Sequence, residues 1–185
     1  MLKGFIEFVH ENMGQEEKSI MDLKDLKTIA DLNMITNDEY SKKAIEILRS
    51  TGRLSTVLEP EVSIDDEDSK DSLWVDWAQE WRASTGERIV KAEGFVDSMG
   101  AGELTFLLDT GLVIEVEMSY GGLWTYDVDV KVRVGDHIVA SDPDVNDSDQ
   151  EWSGTEEMIG SILSNTAAQY GHIAIDSFID VDINN

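Results

Sequence analysis

Residues 89–140 carry the strongest fold signal in the chain, in the segments IVKAEGFV (89–96), ELTFLL (103–108), LVIEVEMSY (112–120), WTYDVDVKVRV (124–134) and HIVA (137–140). Apolar and polar residues alternate in most of these segments, as they do in strands with one buried face. Turns that contain glycine separate the segments, for example at residues 109–111 and 121–123. Five short antiparallel strands with tight turns predict a small β-barrel of the OB or SH3-like type.

Three further segments belong to the same part of the chain. Residues 72–83 carry three tryptophans at intervals of four residues or fewer, which predicts a helix that covers the sheet with indole rings. Residues 155–169 predict a second helix, which should stop at Gly171. Residues 172–183 alternate in polarity and predict a last strand at a sheet edge. The expected fold class is therefore α+β.

The first part of the chain predicts only helices. Residues 2–13 and 16–33 both place apolar side chains at helical spacing, and a third helix should begin after Thr36 and end at Gly52. Thr36 and Glu39 have the spacing of a capping box, in which each side chain binds the backbone amide of the other residue. We therefore expect a helical hairpin with a well-defined start to its second helix.

Residues 17–48 resemble the SHOCT-type helical hairpin. The resemblance rests on LKDL (23–26), on DLNMITNDEY (31–40), and on KK (42–43) and IL (47–48). It is most specific at the Ile-Thr-x-x-Glu-Tyr segment that starts the second helix. The resemblance implies a small interaction or oligomerisation hairpin, so that the N-terminal helices would join two copies of the chain. It implies no catalytic site.

The charge of the chain is divided unevenly. The net charge is −25, of which residues 1–58 carry −2, with 8 Lys/Arg against 10 Asp/Glu, and residues 59–185 carry −23. The segment 59–72 is acidic, polar and poor in residues worth burying, which is typical of a linker. We therefore predict a helical hairpin module at 1–58, an acidic linker at 59–72, and an acidic β-barrel domain with helices at 73–185.

Composition excludes several functions. The chain has no Cys, which excludes disulfides and thiolate chemistry and favours a cytoplasmic protein. No stretch approaches the roughly 18 apolar residues of a membrane span. Direct binding to nucleic acid or to an anionic membrane would oppose the electrostatic field of the acidic part.

The sequence contains no recognisable catalytic motif. It lacks a glycine-rich phosphate loop and an HExxH pair, and the three histidines, His10, His137 and His172, are far apart in the chain. We therefore expect no enzyme and no cofactor. A hydrolase that uses paired carboxylates remains the catalytic alternative.

Carboxylates on two neighbouring predicted strands form the candidate site. Glu115 and Glu117 alternate with inward residues on one strand, as do Asp127 and Asp129 on the next. With 121–123 as the connecting loop, Glu117 should face Asp127 and Glu115 should face Asp129, although like charges directly opposite are destabilising. Along each strand the carboxylates would stand about 6.8 Å apart, close to the spacing of neighbouring phosphates. The pattern predicts a face for a cationic partner or a metal ion; a solvated face that tolerates repulsion is the alternative.

An acidic loop offers a second candidate. Asp142, Asp144, Asn146 and Asp149 place oxygen ligands at short intervals, as calcium loops do. The loop lacks glycine at the sixth position of the pattern and an acidic residue at the twelfth, so it is not an EF-hand. We expect no dedicated metal site there.

These features together predict a non-catalytic acidic module that binds a basic surface of a partner protein. That surface could be one that normally holds nucleic acid, in which case the module would act as a nucleic-acid mimic or inhibitor. The first alternative is a ligand-binding or structural barrel whose acidity serves only solubility. Adaptation to high salt is a further explanation of the acidity, but it does not explain the near-neutral N-terminal third.

Overall fold

The computed structural model describes residues 15–57, 59–67, 71–122, 125–141 and 154–183. The predicted helix at 2–13 lies outside them. The helices are α1 (Gln15–Asp31), α2 (Asn37–Ser50), α3 (Asp71–Glu80) and α4 (Thr155–Ile183). The strands are β1 (Glu61–Asp66), β2 (Ile89–Val96), β3 (Gly102–Leu108), β4 (Leu112–Gly122), β5 (Thr125–Val134) and β6 (His137–Ser141).

The prediction of a barrel was wrong. The strands form an open six-stranded sheet in the order β1-β2-β3-β4-β5-β6, so β1 and β6 lie at opposite edges. A barrel would require these two strands to pair. Instead, α3 and α4 cover the apolar side of the sheet, and the inward side chains pack against helices rather than across a barrel interior. Alternating polarity and glycine turns occur both in closed barrels and in open sheets covered by helices. These sequence features therefore could not distinguish the two folds.

The segment predicted as an acidic linker contains a strand. In β1, Ile64 is buried and the strand pairs in parallel with β2, from Glu61 opposite Lys91 to Asp66 opposite Val96. Parallel neighbours need a crossover connection, usually helical, and α3 supplies it. The remaining strand pairs are antiparallel, so the sheet is mixed.

The core of the sheet is built from every second residue of its central strands. Leu104, Phe106 and Leu108 of β3 point to the same side as the inward residues of β4 and β5. Trp74 of α3 is fully buried there, as the tryptophan pattern predicted, and its ring meets Trp77 edge to face at 5.3 Å. The first half of α4 completes this core with Met158, Ile159, Ile162 and Leu163.

The strand predicted at 172–183 is also wrong, because these residues continue α4. Ala174 is buried in the core of the sheet. Ile175 and Ile179 are buried on another side of α4, with Phe178 partly buried beside them, which is the spacing of one helix face. Over a segment this short, the alternating polarity that predicted a strand is also compatible with a helix that buries one face. The hairpin α1–α2 packs on it, and that contact decides in favour of helix. Gly171, predicted as the helix end, lies inside α4.

The hairpin α1–α2 is tied to the rest of the chain through α4. Its apolar residues Leu23, Ala44 and Leu48 share one buried cluster with Ile175. The predicted capping box is present, since the Thr36 side chain accepts from the Glu39 amide and the Glu39 side chain accepts from the Thr36 amide.

Polar contacts add to this attachment. Tyr40 donates a hydrogen bond of 2.6 Å to Asp176, which also contacts Lys27 at 2.5 Å. These contacts join residues of the predicted 1–58 module to residues of the predicted 73–185 domain. That division into two separately folding parts stays a prediction, which limited proteolysis would check.

Candidate binding surface on the open face of the sheet

The side of the sheet opposite α3 and α4 carries the polar half of the strand pattern. We call it the open face and define it by the outward residues of β3, β4 and β5. They are Glu103, Thr105, Leu107, Val113, Glu115, Glu117, Ser119, Asp127, Asp129, Lys131 and Arg133. A groove of about 530 Å³ lies on this face and is lined by residues of β3, β4, β5 and Ser141 of β6.

All four carboxylates of the predicted ladder lie on the open face, but their predicted register is wrong. Glu117 stands opposite Asp129, and Glu115 stands opposite Lys131, whereas Asp127 stands opposite Ser119. The register is shifted by two residues because β4 and β5 continue to Gly122 and Thr125, with an irregularity between Tyr120 and Gly122. A shift of two residues keeps every side chain on its predicted face, whereas a shift of one would have reversed the faces.

One of the four carboxylates is neutralised. Lys131 Nζ lies 3.4 Å from Glu115 Oε2, and Arg133 Nη2 contacts the other oxygen, Oε1. The three side chains are part-exposed, so water screens the attraction and each pair contributes little to stability. Their effect is on the charge pattern, because Glu115 and its two cations together carry a net charge of +1 and interrupt the acidic surface beside the groove.

The remaining carboxylates form a row across the strands. Glu103 stands opposite Glu117, and Glu117 stands opposite Asp129, so three neighbouring strands each contribute one exposed carboxylate. Neighbouring strands lie about 4.8 Å apart, which sets the step of the row. Among the residues that the structure describes, no cation is recorded within salt-bridge distance of these three side chains. We call Glu103, Glu117 and Asp129 the carboxylate row.

The sequence prediction did not include Glu103, although a signal for it was present. Glu103 precedes the inward Leu104, so alternation along β3 places its side chain on the outward face. The tight turn at 109–111 pairs Leu107 with Val113 and therefore Glu103 with Glu117. Counting outward from that turn identifies the row directly. The prediction instead started from the 121–123 loop, where the irregularity lies.

The row can attract cationic side chains, because carboxylates accept short charge-assisted hydrogen bonds from Lys and Arg. The described residues contain no group of three or more His, Cys, Asp or Glu that could hold a metal ion. The candidate calcium ligands Asp142, Asp144, Asn146 and Asp149 lie outside the described residues. Two of the three histidines lie in described segments: His137 is at the exposed start of β6, and His172 is on α4 beside Asn37.

No protein-family model, curated protein or solved structure matches the chain. The resemblance of residues 17–48 to the SHOCT-type hairpin therefore stays a prediction, as does self-association through the N-terminal helices. Among the helices that the structure describes, none has both the length and the apolar character required to cross a membrane.

Proposed function

We propose that this chain is a non-catalytic, acidic protein-binding module, and that the open face of its sheet occupies a basic surface of a partner protein. The observation that carries the proposal is the carboxylate row, which places three exposed like charges on adjacent strands beside a groove of about 530 Å³. Like charges directly opposite each other destabilise a sheet by tenths of a kcal/mol. A cationic partner would remove that repulsion when it binds.

The lining of the groove favours a macromolecular partner over a small ligand. Small-molecule sites are mostly apolar with a few polar groups, whereas this groove is lined by several carboxylates, a lysine and hydroxyl side chains. A broad acidic face also steers basic proteins during diffusional encounter, which raises the association rate. A cytoplasmic location, in keeping with the absence of Cys, completes the proposal.

A narrower form of the proposal is that the partner surface normally holds nucleic acid. Its support is spacing, since Asp127 and Asp129 on one strand face lie about 6.8 Å apart, as neighbouring phosphates do. Basic surfaces that bind phosphates recognise such spacing through Lys and Arg.

The experiment measures binding of a fluorescent arginine-rich peptide by anisotropy, at low and at high salt. The test variant combines Glu103→Gln, Glu117→Gln and Asp129→Asn, which removes the carboxylate row and keeps the size of each side chain. The control variant combines Glu46→Gln, Glu80→Gln and Asp25→Asn, which changes the net charge equally at exposed positions on the helices. We expect the test variant to bind about ten-fold more weakly than the control, and the difference to shrink at high salt.

Equal affinity of the two variants would contradict the proposal, because the peptide would then respond only to net charge. Binding that persists in high salt would contradict it as well. The narrower form requires in addition that the chain compete with single-stranded nucleic acid for a nucleic-acid-binding protein, and that the test variant compete less well than the control.

A further inference from the structure

A buried carboxyl group lies where the hairpin α1–α2 meets the sheet. Glu87, in the segment between α3 and β2, is completely buried. Two neighbouring elements approach it at one point, because the space beside Gly171 of α4 is bordered both by the Glu87 carboxyl group and by the Ser41 hydroxyl of α2. We call Ser41, Glu87 and Gly171 the hairpin joint, since each comes from a different element.

The hairpin joint leaves polar atoms without partners. Glu87 Oε2 accepts a hydrogen bond from Thr85 Oγ1, but within the described ranges Oε1 has no partner. Ser41 Oγ is also fully buried and unpartnered among these residues. Gly171 makes room for the carboxyl group, because a Cβ at that position would clash with Glu87 Oε1. The joint therefore has room for the carboxyl group but does not supply the hydrogen bonds that its ionised form would need.

The charged groups around Glu87 come from all sides of the joint. Arg49 of α2 attracts the ionised carboxylate, but its Nη2 already donates to Asp109 Oδ2 and to the Gly86 carbonyl, both at 2.7 Å. Asp109, in the turn between β3 and β4, adds a like charge, and His172 follows Gly171 on α4. Burial, together with Asp109, raises the pKa of Glu87 to about 6, although Thr85 and Arg49 oppose the shift.

We propose that the Glu87 carboxyl group is a pH-dependent latch, which holds the hairpin α1–α2 against α4 and the sheet when it is neutral and loosens this contact when it is ionised. Opening the joint would let water solvate the carboxylate, which the closed joint does not. The closed joint is thus favoured at mildly acidic pH and becomes less stable toward neutral pH. This inference does not depend on the open face or on its partner.

The sign of the effect separates Glu87 from the other titrating group nearby. The pKa of Glu87 is raised in the closed state, so its contribution is fully present below the ordinary value of 4.5 and is lost as pH rises through about 6. Burial lowers the pKa of His172, so that group would favour closing as pH rises. A joint controlled by Glu87 therefore loosens, and one controlled by His172 tightens, over the same interval.

The experiment is hydrogen–deuterium exchange of the full chain at about pH 5 and about pH 7.5, corrected for intrinsic exchange rates. If opening restores the ordinary pKa of 4.5, the open state of α2 and of residues 81–88 should be about eight-fold more populated at the higher pH. Glu87→Gln should abolish this dependence, because the amide does not titrate. Glu46→Gln, on the exposed side of α2, should behave as the unaltered chain does.

Three results would overturn the latch: no pH dependence in the unaltered chain, the same dependence in Glu87→Gln, or tightening toward neutral pH. If Glu87→Gln does not fold, a carbon-13 NMR titration of the glutamate carboxyl groups in the unaltered chain decides instead. A carboxyl group that titrates near pH 6 supports the latch, and the absence of any such group overturns it.

Discussion

The two faces of the sheet are made from the same strands but differ in what covers them. On β4, Leu112, Ile114 and Val116 are buried against α3 and α4, while Glu115 and Glu117 between them point to the open face. Alternation places the two sets on opposite sides because successive side chains of a strand point in opposite directions. The covered face supplies the stability of the fold, and the open face is left free to carry charge that folding alone would not favour.

The two faces also differ in energetic scale. Burying a large apolar side chain contributes about 1.5–3 kcal/mol, whereas exposed like charges cost tenths of a kcal/mol because water and salt screen them. The covered face can therefore tolerate the repulsion of the carboxylate row. We make three predictions about the covered face, the strand contact beneath both faces and the open face, in order of decreasing effect.

The largest effect should come from the covered face at Phe106, which is fully buried and meets Trp77 at 6.1 Å between ring centroids. Phe106→Ala should lower the free energy of unfolding by about 3–5 kcal/mol, because it removes apolar contacts and leaves a cavity. The measurement is urea unfolding followed by tryptophan fluorescence. Thr105→Ala, at the next position but on the open face, should cost less than about 1 kcal/mol. Similar losses at both positions would contradict the distinction between the faces.

A smaller effect is expected where β2 and β3 approach each other closely. Gly94 has a φ of +139°, and a Cβ there would clash with the carbonyl oxygen of Glu103. Gly94→Ala should cost about 2–4 kcal/mol, since backbone strain and a steric clash combine. Gly111, with a φ of +88° and open space around it, is the matched control, and Gly111→Ala should cost about 1 kcal/mol from strain alone. Equal costs would show that β2 and β3 can separate without penalty.

The smallest effect should come from the open face, and it has the opposite sign. Removing the carboxylate row with Glu103→Gln, Glu117→Gln and Asp129→Asn should raise the free energy of unfolding by about 0.5 kcal/mol at low salt, because two like-charge contacts disappear. Glu115 is left unchanged, since it already pairs with both Lys131 and Arg133. Thermal melts at low and high salt measure the gain, which should vanish when salt screens the charges. A loss of stability would mean that the row forms favourable contacts.

Local patterns predicted much of the fold. β2 spans the residues expected, and the capping box at Thr36 and Glu39 is present as predicted. The tryptophan helix is offset by only a few residues. These features depend on residues close together in the chain, so a short window of sequence contains their cause. The outward phase of Glu115, Glu117, Asp127 and Asp129 was predictable for the same reason.

Features that depend on distant contacts were not predictable in this way. Residues 172–183 are compatible with a strand or a helix, and only the hairpin packed on Ile175 and Ile179 favours the helix. β1 looked like a linker because its pairing partner, β2, lies beyond an intervening helix. Glu87 gave no sequence signal at all, since its burial arises where three separate elements meet.

Three features followed from the order of the residues alone: which side chains alternate, where α2 begins, and that one side of the sheet would be acidic. The physical reason is that backbone geometry gives strands a period of two and helices a period of 3.6, independent of their surroundings. Three other features depend on the folded arrangement: the sheet stays open, β4 and β5 pair so that Glu117 faces Asp129, and Glu103 joins these two carboxylates. These outcomes depend on which apolar faces pack together. The packing is decided by the relative free energies of alternative folds of the whole chain, which no single segment contains.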